Sequence, residues 1–313
     1  MTATDRKLEF LEFAYDRQNI YHLRHIENQP APWTGDQILQ TYRFCNSYRH
    51  LDRGSLYIIH EVIENRSLSL FEKYINIILY RIFNIDQFFS LVIDGPITVE
   101  NYDFKKLESL MDEARKGGAI FNPAYVVTHV TIDPEYRSTE KHVQYLKLME
   151  NLIERKDEIM KGFDILVTRP EDAGRKDITE LLLSVPRKVA GVGPFIAGQI
   201  LADLSYCEDT WFTTDDYCIV GPGAISSFAY IAGEDKLSQK KARELCRVMS
   251  DYQEEGFRIL KEKTHKDWLD ISIKEGGVYP GSYLSVMDIQ NVGCEFRKYR
   301  NYKKGKQRKR YYR

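Results

Sequence analysis

Three groups of polar residues in this sequence have the types and spacing that chemistry needs. Asp215 and Asp216 stand together just ahead of an apolar segment. Such a pair could cap the free N–H groups of a helix start, the plain structural reading, or serve as a general base or cation stabiliser beside a bound base. Arg43, Asn46, Arg49, His50 and Arg53 recur at helical spacing, and Asp52, on the flank, is the one carboxylate between residues 42 and 54. A solvated helix face usually alternates in sign. A cationic and amidic stripe instead suits a polyanion, because guanidinium forks bind phosphate oxygens two at a time. Glu295 and Lys298, at i and i+3, could form no more than a surface ion pair.

A further feature is Gly191-Val192-Gly193, preceded by Arg187 and Lys188 and followed by Pro194 and an apolar run. Two glycines at i and i+2 turn the backbone without Cβ clashes, and the helix that follows starts with its N–H groups free. Helix, tight hairpin, helix is one reading, able to hold a phosphate oxygen of a nucleic-acid backbone. An ordinary turn between helices is the other.

The elements that must position these residues are helical almost throughout. Residues 5–28 read as a helix, broken at the prolines 30 and 32. One helix is expected over 36–64, with Phe44, Tyr48, Leu51, Ile58, Ile59 and Val62 on one face and the cationic stripe opposite. Further helices are expected over 70–83, 85–92, 104–116, 137–160, 176–184, 186–204, 223–232, 236–263 and 265–273. Residues 120–132 are β-branched enough for a strand pair and equally compatible with buried helix. The fold class is mainly α.

Length and composition narrow the field. At 313 residues and 43% hydrophobic content the chain can bury a substantial core. Residues 297–313 hold ten Lys/Arg and no acid, leaving 35 bases against 46 acids in residues 1–296, a net of −11. This basic tail, with Tyr302, Tyr311 and Tyr312, suits phosphate contact and base stacking; a solubility tail or a localisation signal are the alternatives. Five cysteines without a CxxC pair point away from a disulfide framework or zinc knuckle and towards a reducing compartment. His22 and His25 find no further obvious ligand, and residues 60–64 (HEVIE) lack the second histidine of a zinc-protease helix. No metal centre is expected. No apolar run approaches the roughly 18 residues that cross a bilayer, so a cytoplasmic protein is expected, or a nuclear one in a eukaryote.

Residues 191–197 (GVGPFIA), then Asp215-Asp216, then residues 221–224 (GPGA) resemble the helical family of α-glutamyl/putrescinyl thymine pyrophosphorylases. The helical domain of 5-hydroxymethyluracil DNA kinases is similar to the same family. Residues 32–53 and 294–300 (CEFRKYR) extend the resemblance over nearly the whole chain. The hairpin and Asp216 also resemble helix-hairpin-helix DNA glycosylases, which carry a catalytic aspartate at about this spacing. The sequence departs from their Asp-x-His-x-x-Arg pattern after Asp216.

The resemblance implies a helix-hairpin-helix glycosylase-like, two-lobed helical fold. The lobes are expected at 1–165 and 166–296, or as one intertwined domain, with 297–313 as the tail. It also implies a transferase of thymine hypermodification, in which an amino acid or polyamine replaces the pyrophosphate of 5-pyrophosphoryloxymethyl-uracil in double-stranded DNA. In an infected cell this would be a phage activity. Gly191, Gly193, Arg187 and Lys188 would then hold the DNA backbone, and Arg43, Arg49, Arg53 and Lys298 the pyrophosphate, with Mg²⁺ as the one cofactor such a substrate would bring. Asp216 with Asp215, or Glu295, would take the proton, and Asn46 would meet the base edge or substrate. The kinase activity of the relatives is not expected, since the sequence contains no GxxxxGK[ST]. A glycosylase for a modified pyrimidine and a non-catalytic DNA-binding module are the rival readings.

Overall fold

Capping boxes set three of the helix starts. Thr2 with Asp5, Ser69 with Glu72 and Ser285 with Asp288 each exchange a side-chain and a backbone hydrogen bond, satisfying N–H groups that the helix leaves open. The computed structural model describes residues 1–122, 130, 133–137, 139–171, 178–271 and 283–306. Among these no β-strand occurs. The α-helices are α1 (Ala3–Tyr21), α2 (Gln37–Thr41), α3 (Arg53–Ile58), α4 (Leu70–Phe83), α5 (Phe88–Leu91), α6 (Phe104–Gly117), α7 (Lys141–Glu154) and α8 (Lys156–Met160). They continue with α9 (Asp164–Val167), α10 (Thr179–Leu183), α11 (Pro194–Leu204), α12 (Pro222–Ala232), α13 (Gln239–Thr264), α14 (Trp268–Ile271) and α15 (Val286–Lys303). The mainly α class expected from periodicity is what the chain adopts.

The single helix expected over 36–64 is not formed. Asp36 caps α2, which stops at Thr41, and Tyr42 turns extended at φ −112° and ψ 142°. Over residues 42–45 burial alternates: Tyr42 and Phe44 point inward, Arg43 and Cys45 outward. A short 3₁₀ turn (Arg49–Leu51), α3 and a π-helical turn (Ile59–Ile63) follow. Of the polar residues expected on one helical face, Arg43, Asn46, Arg49 and His50 therefore lie on an extended segment and a tight turn, and Arg53 begins α3. Residues 120–132, read as strand or buried helix, fall largely outside the described residues. So do 307–313 of the basic tail; its first part instead completes α15, where Tyr302 is buried and stacks on Tyr42 at 4.2 Å.

The described chain divides into two compact units, Met1–Asp52 with Tyr217–Arg313, and Arg53–Asp216. In the first, α1 lays Phe10 and Phe13 against Phe296 of α15, with ring centroids 5.4 and 5.6 Å apart. Trp268 stacks on Phe257 of α13 at 4.5 Å. α12 and α15 cross closely because small residues meet: a Cβ on Gly223 would lie 2.5 Å from Cys294 Sγ, and Ser227 Oγ donates to the Gly293 carbonyl at 2.6 Å. The GPGA motif thus starts α12 and supplies the residue that lets α15 approach.

The second unit is built on α4, buried along nearly all its length. Its Arg81 forms a bidentate, buried ion pair with Asp203 of α11. A buried pair of this kind is costly to break from either side, because one charge is left without its partner. It fixes α11 along α4, and with α11 the glycine turn at its start.

Candidate functional site

One face of α15 runs along the extended segment 42–49 and bonds to its backbone residue by residue. Asp288 Oδ1 accepts the Arg49 N–H at 2.7 Å, and Asn291 Nδ2 donates to the Asn46 carbonyl at 3.1 Å. Glu295 Oε2 accepts the Cys45 N–H at 3.0 Å, and Lys298 Nζ donates to the Arg43 carbonyl. Tyr299 donates to Asp36 Oδ2 at 2.5 Å. These positions share a face because i, i+3 and i+7 do in a helix. From α1, the buried Arg17 donates to the Cys45 and Phe44 carbonyls at 3.2 and 3.1 Å. Backbone groups of this extended segment that no helix ladder satisfies are met instead by side chains of two helices.

The arrangement gathers Arg17, Arg49 and Lys298 with Asp52 and Glu295 around Cys45 and Asn46. Asp52 Oδ1 accepts the Asn46 N–H at 2.8 Å, while Asn46 Nδ2 donates to the Leu51 carbonyl at 2.8 Å. Burial pushes the Asp52 carboxyl up to about 7; the charge of Glu295 adds to this, and the Asn46 N–H, Arg49 and Arg17 oppose it. The Cys45 side chain is exposed, yet the Asp52 carboxylate, then desolvation and Glu295, hold its thiol well above the ordinary range. A thiol so raised is a poor nucleophile at neutral pH. Asp288 is also raised by burial, against the hydrogen bonds from Arg49 and Ser285. Arg17 Nη1 is buried without a hydrogen-bond partner among the described residues. In the same unit, α2 contributes Leu39 and Gln40 to a cavity of about 300 Å³ that Ile20, Arg24, Pro32 and Trp33 also line. The Arg24 guanidinium lies 5.1 Å from the Trp33 ring centre.

The helical domain of 5-hmdU DNA kinase, as a family, matches residues 5–308. This chain belongs to that family. Every residue of the cluster lies inside the matched span of the 5-hmdU DNA kinase helical domain. A curated relative is the 5-hmdU DNA kinase of Bacillus phage SP10, 26% identical over 301 residues, covering 92% of this chain and 44% of the relative. The chain thus spans less than half the length of that relative. No solved structure matches.

The other residues singled out in the sequence of this family member belong to the second unit. Arg53 begins the second unit and pairs with Asp86. Asp216, also in the second unit, accepts the Thr213 N–H and hydroxyl at 2.8 and 2.9 Å, closing a tight turn rather than capping a helix. Asp215 shares this turn, its N–H donating to Thr213 Oγ1 at 3.2 Å. Gly191 adopts φ +77°, and a Cβ there would lie 2.3 Å from Val130 Cγ2, so both backbone and space require glycine. Gly193 caps α11 and faces open space. Arg187 pairs with Glu180 at 2.8 Å, and Lys188 lines a small cavity with Arg155 and Glu158.

Arg17, Cys45, Asp52, Asp288 and Asn291 were not among the sequence candidates. Asp52 carried the one available signal, a lone carboxylate within a cationic run. Among the described residues no group of three or more His, Cys, Asp or Glu could hold a metal, and no helix is long and apolar enough to cross a membrane.

Proposed function

We propose that this protein is a transferase of thymine hypermodification in DNA, exchanging the pyrophosphate of 5-pyrophosphoryloxymethyl-uracil for an amine, either an amino acid or a polyamine. The observation that carries this reading is the convergence, on segment 42–52, of cations able to hold a leaving pyrophosphate with carboxylates able to take a proton. The reaction needs both within one site. Arg43, exposed beside Lys298, engages the pyrophosphate, and the buried Arg49 adds positive charge behind it; Mg²⁺ arrives with that leaving group, and no protein ligand is assigned to it. Asn46 keeps its side-chain oxygen for a donor on the base or substrate. The Trp33 and Arg24 cavity offers an aromatic face and a guanidinium to an extruded base. The open turn at Gly193, with Lys188 near, suits a DNA phosphate. The SP10 relative is named as a kinase of 5-hmdU in DNA, and the proposed substrate is that base carrying a better leaving group on the same substituent.

The test incubates the protein with DNA containing 5-pyrophosphoryloxymethyl-uracil and a pool of amino acids and polyamines, then digests the DNA and weighs the nucleosides. A nucleoside heavier by one amine residue, with pyrophosphate released, is the expected result. Arg43→Ala should lower product at least tenfold while DNA affinity changes by less than threefold, since roughly one phosphate contact is lost among several. Abasic sites with free base would replace this reading with a glycosylase, and bound but unchanged DNA would replace it with a binding module.

A further inference from the structure

Four carboxylates and one thiol compete for the role of proton acceptor, and their hydrogen bonds separate them. Asp288 has both oxygens engaged: Oδ1 by Arg49, Oδ2 by the Ser285 N–H and hydroxyl at 3.0 and 2.7 Å. Glu295 Oε2 accepts the Cys45 N–H at 3.0 Å and is ion-paired with Lys298 Nζ at 3.2 Å, so an ammonium already occupies that oxygen. Asp216 closes its own turn, one oxygen accepting both the Thr213 N–H and its hydroxyl. The Cys45 thiol is held protonated. Asp52 differs in having no ion pair among the described residues: Oδ1 accepts the Asn46 N–H, and Oδ2 takes no further hydrogen bond there.

Resting on the transferase reading above, we infer that Asp52 is the general base that deprotonates the incoming amine. The amine enters neutral, its first proton lost to solvent. Its lone pair forms the C–N bond at the methylene carbon while the C–O bond to pyrophosphate breaks, the leaving oxygen keeping the bonding pair. The proton that nitrogen then sheds passes to Asp52 Oδ2. The groups facing Asp52 set its basicity from three elements: Arg17 on α1, Cys45 and Arg49 on its own segment, and Glu295 on α15. Burial and Glu295 raise its carboxyl and the two arginines lower it, leaving a base matched to neutral pH.

The deciding experiment compares the full chain with Asp52→Asn on pyrophosphorylated DNA, using the amine identified by the mass assay and, separately, hydroxylamine. Hydroxylamine is unprotonated at neutral pH, and its adduct sheds a proton readily. Asn keeps the acceptor for the Asn46 N–H, and circular dichroism verifies that the variant folds. Expected is a loss of about 10²–10⁴ in kcat with the natural amine, a much smaller loss with hydroxylamine, and disappearance of the acid limb that the wild-type rate shows near pH 7. Glu295→Gln should keep that limb whatever its rate. Equal losses with both amines would make Asp52 a positioning residue and overturn the inference, as would survival in Asp52→Asn of the limb near pH 7, counted apart from the fall in rate that protonation of the amine itself causes in both proteins. If the wild-type protein transfers neither amine, the transferase reading itself falls, an outcome distinct from either.

Discussion

A carboxyl that is partly buried among like and unlike charges is an investment in chemistry at the expense of stability, and Asp52 makes this measurable. Its pKa is about 7 in the folded protein against an ordinary 3.8. Between those values the folded state holds a proton that the unfolded chain has lost, so stability falls as pH rises from about 4 to 7 and stays low above. Asp52→Asn removes that cost. Relative to wild type, the variant should gain on the order of 2 kcal/mol in urea unfolding at pH 8 and little at pH 4, allowing for solvent access to the carboxyl. Equal differences at both pH values would show that the carboxyl titrates normally. A variant that loses activity while gaining stability is the pattern expected of a residue kept for function.

At the scale of elements, the site depends on how closely α15 approaches α12, since α15 carries Asp288, Asn291, Glu295 and Lys298 to the segment they hold. Gly223→Val should lower stability by about 2 kcal/mol through overpacking against Cys294, read as a lower midpoint in thermal unfolding. Gly221→Ala, where a Cβ meets open space but the N-cap of α12 is weakened, should cost no more than about 1 kcal/mol. The sequence made some of this legible. α4 announced itself through a continuous apolar helical pattern, and the glycine turn before α11 was readable because φ > 0 demands glycine. The break at Tyr42 was not readable. Phe44, Tyr48 and Leu51 fit both a helical and an extended spacing. What holds the extended form is a guanidinium 27 residues upstream of Phe44 and an ammonium 255 residues beyond Arg43, outside any local window. The α12 start was visible as a motif, but its purpose as a crossing point required α15, a helix that periodicity alone had not singled out.

At the scale of the molecule, one unit is assembled from both ends of the chain and the other from its middle. The continuous unit, Arg53–Asp216, has its own core around Tyr74, Tyr80, Phe83, Phe88 and Phe89, all at most 1% exposed. The discontinuous unit takes Phe10, Leu11, Phe13 and Ala14 from α1, each at most 3% exposed. Burying a large apolar side chain contributes about 1.5–3 kcal/mol, so losing α1 removes roughly as much as a whole domain's net stability of about 5–15 kcal/mol. A fragment of residues 53–216 should therefore be helical and unfold cooperatively. Residues 217–313 alone should show neither behaviour until residues 1–52 are added in trans, when helicity by circular dichroism should rise beyond the sum of the parts. The added peptide also brings Arg17, Arg43, Arg49 and Asp52 to α15, so complementation should rebuild the cluster along with the core. A cooperative transition from 217–313 by itself would mean that α1 is dispensable to this core, and the link between folding and site assembly would fail with it.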